Sequence, residues 1–218
     1  MIDIRVRALF KCGSQLLFPL FDKEYPWEIL KALPAYIEEL IEKGIEGYTA
    51  FADGILMGSG ATVASTAVIV PPAIIGAGTE LRPGAYVRGN VILGENCVVG
   101  NSTEIKNSVL LQNVQAPHYN YIGDSILGNG AHLGAGAVCS NLKADQKNVV
   151  IHAEKDYATG LRKIGGFIGD HAEIGCGCVL NPGTVVGKNT SVYPLVPLRG
   201  CYAENSIVKS ATETVPKR

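Results

Sequence analysis

Aliphatic side chains recur at every sixth position through the middle of this chain of 218 residues. Met57, Val63, Ile69, Ile75, Leu81, Val87, Leu93, Val99, Ile105 and Leu111 stand six apart without a break. Four places after each of the first nine comes a small or β-branched residue, from Ala61, Ala67 and Ala73 through Thr79, Ala85 and Val91 to Cys97, Thr103 and Val109. The phase returns at Leu127, Leu133 and Cys139, after a five-residue step from Ile122. It returns again at Ile168, Ile174, Leu180, Val186, Val192 and Leu198. A period of six fits neither an α-helix nor a hairpin. It fits short flat strands joined by tight turns, each strand aiming one aliphatic side chain inward while a small residue or glycine takes the turn. Three hexads close one coil of a triangular prism, so the 54 residues from Met57 to Leu110 predict three coils. Successive coils would pair as parallel strands about 4.8 Å apart. Each stacked aliphatic residue would contribute roughly 1.5–3 kcal/mol by burial.

Three segments fall out of phase. In Met1–Gly54, Trp27, Leu30, Leu33, Ile37, Leu40 and Ile41 make an apolar stripe at helical spacing. This predicts a helix from about Pro26 to Lys43, with Pro26 in the first turn, Gly44 as the cap and Pro34 as a point of kinking. Its stripe is expected to cover the open end of the solenoid or a neighbouring subunit. Gln112–Tyr121 and Asn141–Phe167 read as excursions; the second is polar and carries Lys143, Lys147, Lys155, Arg162 and Lys163. Within it, Val149–His152 is expected to pair with Arg162–Ile164. The organisation expected is an extension over 1–54, a solenoid over 55–204 with excursions at 112–121 and 141–167, and a tail over 205–218. Loops on a rigid scaffold are where function tends to sit.

Composition narrows the classes. The 26 glycines lie at regular intervals among Val, Ile and Leu, which argues against disorder. A net charge of -1 gives no field for nucleic acid. No run of 18 apolar residues predicts a membrane span, and no secretory signal is legible, so the six cysteines read as reduced thiols of a cytoplasmic protein. Cys176-x-Cys178 has the wrong spacing for a zinc half-site, and no metal is expected.

Arg82-Pro83-Gly84-Ala85, Glu104-Ile105-Lys106-Asn107-Ser108, Pro117-His118-Tyr119-Asn120-Tyr121-Ile122-Gly123-Asp124, Leu133-Gly134-Ala135-Gly136 and Asn141 occur in that order. This order resembles the acetyltransferase domain of the bifunctional hexapeptide-repeat enzymes that make UDP-N-acetylglucosamine. Those enzymes acetylate glucosamine-1-phosphate with acetyl-CoA and then uridylylate it. Gly160-Leu161-Arg162-Lys163-Ile164-Gly165-Gly166-Phe167-Ile168-Gly169 resembles the archaeal sugar-1-phosphate nucleotidylyltransferase/acetyltransferase branch. The likeness covers about Met57 to Gly200. It implies the hand of the coil, which the period leaves open. The fold expected is therefore all-β, a single-stranded left-handed parallel β-helix with a short helical extension.

The resemblance also implies roles. A sugar ammonium must lose a proton to attack a thioester, and His118 would accept it as general base, with Glu104 orienting the ring. Arg82 and Lys106 would hold the sugar phosphate, a fork and a point charge on a dianion. Tyr121 and Asn141 would bind the sugar or fix the amine, His132 falls near the same pocket, and Lys147 matches a substrate-loop lysine of the archaeal branch. A backbone N–H near Gly134 to Gly136 would hold the oxyanion. CoA would lie in a groove between the parallel β-helices of a homotrimer, with Gly134, Cys176 and Arg199 as contacts. The expected partners are a small sugar phosphate and acetyl-CoA as co-substrate.

His132 stands where the bacterial enzymes usually carry Asn, and Leu142 where they carry Tyr. Both positions touch the sugar pocket and leave the amino sugar open. Met1–Gly54 is too short for a nucleotidylyltransferase domain and holds no Gly-rich loop, so no uridylyl transfer is expected. Two other readings compete: the same chemistry on a different sugar, nucleotide-sugar or acyl group, and a non-catalytic trimer that binds a sugar phosphate.

Overall fold

The protein is described by a computed structural model covering residues 2–14 and 16–217. From Ile55 onward the chain winds as a left-handed parallel β-helix with three sheet faces. The first face begins at Ile55–Gly58 and ends at Cys201–Tyr202, the second runs from Thr62–Val63 to Ser206–Val208, and the third from Val68–Val70 to Pro197–Leu198. Rungs stack in register: Ile105 pairs with Val87 and Ile122, and Ile122 with Cys139.

The period creates the interior directly. Ile75, Leu81, Val87, Leu93, Val99 and Ile105 are buried in one continuous column with Leu133, Cys139, Ile168 and Leu180. Threonines at the small positions serve the corners. Thr79 Oγ1 donates to the Gly94 carbonyl at 2.7 Å and accepts the Cys97 N–H at 3.0 Å, so a buried hydroxyl ties one coil to the next.

The column departs from strict sixes at one corner. Leu110, not Leu111, is the inward residue after Ile105, followed by Ala116, Ile122 and Leu127. Asn107 and Asp124 hold positive φ (46° and 49°) and turn the third-to-first corner with one residue fewer; Asn and Asp tolerate that conformation. Leu111 points outward into a second apolar cluster. With the phase corrected, residues 112–121 do not leave the solenoid. Gln115–His118 is a strand paired to Val98–Asn101 on one side and to His132 on the other. The end of the chain is also part of the stack. Ser206–Val208 pairs with Ser191–Val192 and turns back through the antiparallel strand Thr214–Pro216.

The helix Pro26–Lys43 forms over the range its stripe predicts, with the Glu28 carboxylate accepting the Tyr25 N–H at 2.9 Å and Gly44 at φ 72° as C-cap. It continues through Pro34. Its buried face does not cover the solenoid's end. Ile29, Leu30, Leu33 and Ile37 pack in one cluster with Ile74, Ile92, Val109, Ile126, Phe167 and Val185, the outward side chains of the first face. The top rung is met instead by Tyr48–Ala52, antiparallel to Ile55–Gly58.

Between Asn141 and Gly165 the chain leaves the coil. Val150–His152 pairs with Asp156–Ala158, and not with Arg162–Ile164; Leu142 bridges to Lys163. Buried Val149, Ile151 and Ile164 join the cluster on the first face, and Tyr157 packs against the stacked Tyr25–Trp27 pair. The excursion therefore folds back onto its own subunit. Among the described residues no helix is long and apolar enough to cross a membrane.

Candidate active site

The third face gathers polar side chains at its centre. Tyr121 opens the strand Tyr121–Gly123 and lies along the sheet over Gly123. A Cβ at Gly123 would fall 2.6 Å from both the Tyr121 oxygen and the Asn141 amide nitrogen, so only glycine leaves room for this arrangement. Asn141 Nδ2 donates to the Tyr121 oxygen at 3.2 Å and to Asp124 at 2.5 Å, and Asn107 donates to the other Asp124 oxygen at 2.7 Å. Asp124, Asn107 and Asn141 are stacked corner residues of successive coils, and the carboxylate between two amides fixes Asn141. Partial burial, then the charges of Glu104 and Asp124, push the Tyr121 phenol above its ordinary range. It stays a phenol with a hydrogen to donate.

One rung above, Glu104 sits beside Tyr121 in register and Lys106 beside Gly123. Glu104 is bound by the Arg88 guanidinium at 2.6 Å, and Arg88 also lies over the Tyr86 ring. The face thus offers two cations, a carboxylate, a phenol and an oriented amide within four successive coils. That set suits a polyhydroxylated anion.

The corner between the second and third faces is rich in glycine. Tyr119, Gly136, Gly177 and Leu195 take left-handed φ at equivalent places in four successive coils. Tyr119 and Leu195 project into solvent, whereas a Cβ at Gly136 would meet nothing within 4 Å. At Gly134 a Cβ would fall 2.6 Å from the Cys176 nitrogen, so glycine there lets successive coils stack closely. Cys176 itself is exposed there. His118 stands at the upper lip, exposed, its N–H donating to Asn120 Oδ1 at 3.2 Å. Buried Asn120 in turn donates to the Gly134 carbonyl at 2.8 Å, which locks the corner under the imidazole.

The predicted residues divide between these places. Tyr121, Asn141, Lys106 and Glu104 share the third face, with His118, Gly134 and Cys176 on the adjoining corner. Arg82 lies two coils above His118 on that corner and pairs with Glu80 at 3.0 Å. Glu104 is held by Arg88 rather than by His118. His132 is on the second face, its Nδ1 2.8 Å from Glu173 Oε2. Lys147 lies in the excursion, its N–H donating to Asp145. Arg199 is on the third-to-first corner, away from Gly134 and Cys176, and lines a cavity of about 590 Å³ with Lys143, Asp145, His152 and Asn181. Two partners went unread in the sequence, Arg88 and Glu173, and Asp124 entered only as a motif residue without a role. Arg88 had a signal, since it follows aliphatic Val87 as Lys106 follows Ile105.

A family model described as the GMPPB C-terminal domain matches residues 69–156. The chain is 39% identical over 197 residues to a bifunctional protein GlmU of Methanococcus maripaludis, covering 89% of this chain and 48% of that protein. It is 34% identical over 87 residues to a bifunctional sugar-1-phosphate nucleotidylyltransferase/acetyltransferase of Sulfurisphaera tokodaii, covering 39% of this chain and 22% of that one. The chain thus spans about half or less of the relatives it matches, and the resemblance read from its motifs is to these proteins. The solved UDP-N-acetylglucosamine acyltransferase from Campylobacter jejuni shares the fold, with TM-score 0.52 at 13% identity, covering 74% of this chain and 69% of that one.

Proposed function

We propose that this chain is a CoA-dependent N-acetyltransferase acting on glucosamine-1-phosphate or a related hexosamine phosphate, with His118 as general base. The observation that carries the reading is the adjacency of two surfaces. A polar acceptor face holds Lys106, Arg88, Tyr121 and Asn141, and a glycine-rich corner, open above Gly136, runs beside it with His118 at the shared edge. The corner at Gly134–Gly136, open above Gly136, takes the extended pantetheine arm of acetyl-CoA. The acceptor face takes the sugar and its phosphate. An amine seated there meets the thioester at the lip, where His118 removes its proton and a backbone N–H of the Gly134 turn holds the oxyanion.

The functional unit in this reading is a homotrimer. The first face is covered by the chain's own N-terminal layer, whereas exposed Val68, Val70 and Tyr86 mark the third face as the side that meets another copy. Neighbouring subunits then complete the site, which brings Lys147 and Arg199 within range of a corner they do not reach in their own chain.

Thiol release from acetyl-CoA across a panel of amino-sugar phosphates tests the reading. Glucosamine-1-phosphate or a close hexosamine phosphate should be acetylated, and His118→Ala should lose about 10²–10⁴-fold. If no amine in the panel is acylated, the sugar-phosphate-binding reading replaces this one.

A further inference from the structure

We propose that His132, held by Glu173, is a second catalytic imidazole, which protonates the sulfur that leaves when the thioester is cleaved. The inference rests on the acyl-transfer reading and adds a residue to it.

The coils build an imidazole–carboxylate pair, but not the one expected. Glu104 is taken by Arg88, and among the described residues no carboxylate is bonded to the His118 ring. His132 opens its strand with Gln115 beside it on one rung and Glu173 on the other, and its Nδ1 is 2.8 Å from Glu173 Oε2. The carboxylate on Nδ1 fixes the ring plane and turns Nε2 away from Glu173, so the protonated ring presents Nε2–H as a donor. The other neighbours leave that pair undisturbed. Gln115 is neutral, and Ser191, below Glu173 in register, accepts Lys217 Nζ at 2.9 Å. His171 turns toward Gly130 at the far corner.

The two histidines stand on neighbouring strands of the second face. From Gln115, beside His132, the strand advances three residues to His118, so the two Cα atoms lie roughly 11 Å apart, from a rise of about 3.3 Å per residue and a rung spacing of about 4.8 Å. That separation lets two imidazoles approach one tetrahedral carbon from opposite sides. The acceptor ligands Lys106, Tyr121 and Asn141 are all on the third face, so the amine enters from that side past His118. His132 stands on the second face, the side left for the departing sulfur.

The step balances. The amine nitrogen attacks the carbonyl carbon, a C–N bond forms and oxygen takes the π pair. When the carbonyl re-forms, the C–S bond breaks and sulfur keeps its electron pair. His118 takes the proton from nitrogen, and His132 gives its Nε2 proton to sulfur. The products are the amide and the CoA thiol, and each imidazole resets by proton exchange with water.

The test compares wild type, His132→Gln, Glu173→Gln and the double variant with two donors, acetyl-CoA and the acetyl thioester of an acidic aromatic thiol. An aromatic thiolate leaves without a proton. His132→Gln should therefore lose about 10²-fold in kcat/KM with acetyl-CoA but less than about fivefold with the activated donor. The double variant should be no worse than His132→Gln alone. Equal losses with both donors, or no loss with acetyl-CoA, would overturn the proposal and leave the His118 reading standing. Wild type inactive with every donor and acceptor would remove both.

Discussion

Asn141 donates a hydrogen bond to the Tyr121 phenol at 3.2 Å from a corner one coil below, and the space for that contact exists because residue 123 is glycine. Gly123 has ordinary φ, so alanine is allowed by the backbone, and what its Cβ would strike are two side chains. Gly123→Ala should cost no more than about 1–3 kcal/mol in stability, the usual range for overpacking. It should displace Tyr121 and Asn141 and raise the acceptor KM at least tenfold, an order-of-magnitude expectation for losing two oriented polar contacts. Steady-state kinetics beside a thermal melt separates the two effects; a full-length melt loss with unchanged KM would mean the pair does not touch substrate.

Beside the apolar cluster, one carboxylate also ties the N-terminal layer to the solenoid. Buried Asp170 accepts the Lys11 N–H at 2.8 Å and the Asn129 N–H and amide at 2.8 and 2.9 Å, while its own N–H donates to the Leu9 carbonyl. Asp170→Ala strands three donors at about 1–3 kcal/mol for each that stays dry. We expect a loss of roughly 3 kcal/mol in urea unfolding, with hydrogen exchange rising first in residues 4–12.

Burial pushes the Cys97 and Cys139 thiols up to about 12 from an ordinary 9.0, and Cys201 to about 11. Between pH 9 and 12 the unfolded chain releases these protons and the folded chain keeps them. Unfolding is then favoured by rising pH, so stability, complete below about pH 9, should fall through that window. At pH 8 a thiol reagent should modify exposed Cys176 in the native protein and reach Cys97 and Cys139 only in denaturant. Rapid native labelling of Cys97 would contradict the burial.

Apolar side chains left bare on the third face carry the proposed assembly. Val68 is 53% and Tyr86 38% exposed in the single chain. A Val68→Lys, Tyr86→Lys double variant should reduce the mass measured by light scattering from a trimer toward a monomer. Unchanged mass would place the interface elsewhere.

The stack of coils was legible because a hexad period leaves few alternatives once Ile, Leu and Val occupy every sixth place. The slip at Leu110 was not, because Asn107 and Asp124 shorten a corner through backbone conformation, which the aliphatic count cannot register. Reading Leu111 as inward turned the strand Gln115–His118 into an apparent loop. Among site residues, Glu104 and Lys106 flank inward Ile105 by the six-residue count, whereas Tyr121 comes beside Glu104 only through the coil that the corner at Asn107 shortens by one residue. The partners did not follow. Arg88 competes for Glu104 across a rung, and Glu173 reaches His132 over 41 residues of sequence, most of them in the excursion. Pairings across coils depend on how many residues leave the stack between them.

The most direct measurement is a crystal structure with acetyl-CoA and glucosamine-1-phosphate bound to the assembled protein. The account predicts the thioester along Gly134–Gly136 with His118 beside the sugar nitrogen, and the phosphate on the third face with Lys106. CoA bound on the Arg199 cavity's corner of the subunit that supplies His118, with that imidazole facing solvent, would contradict it.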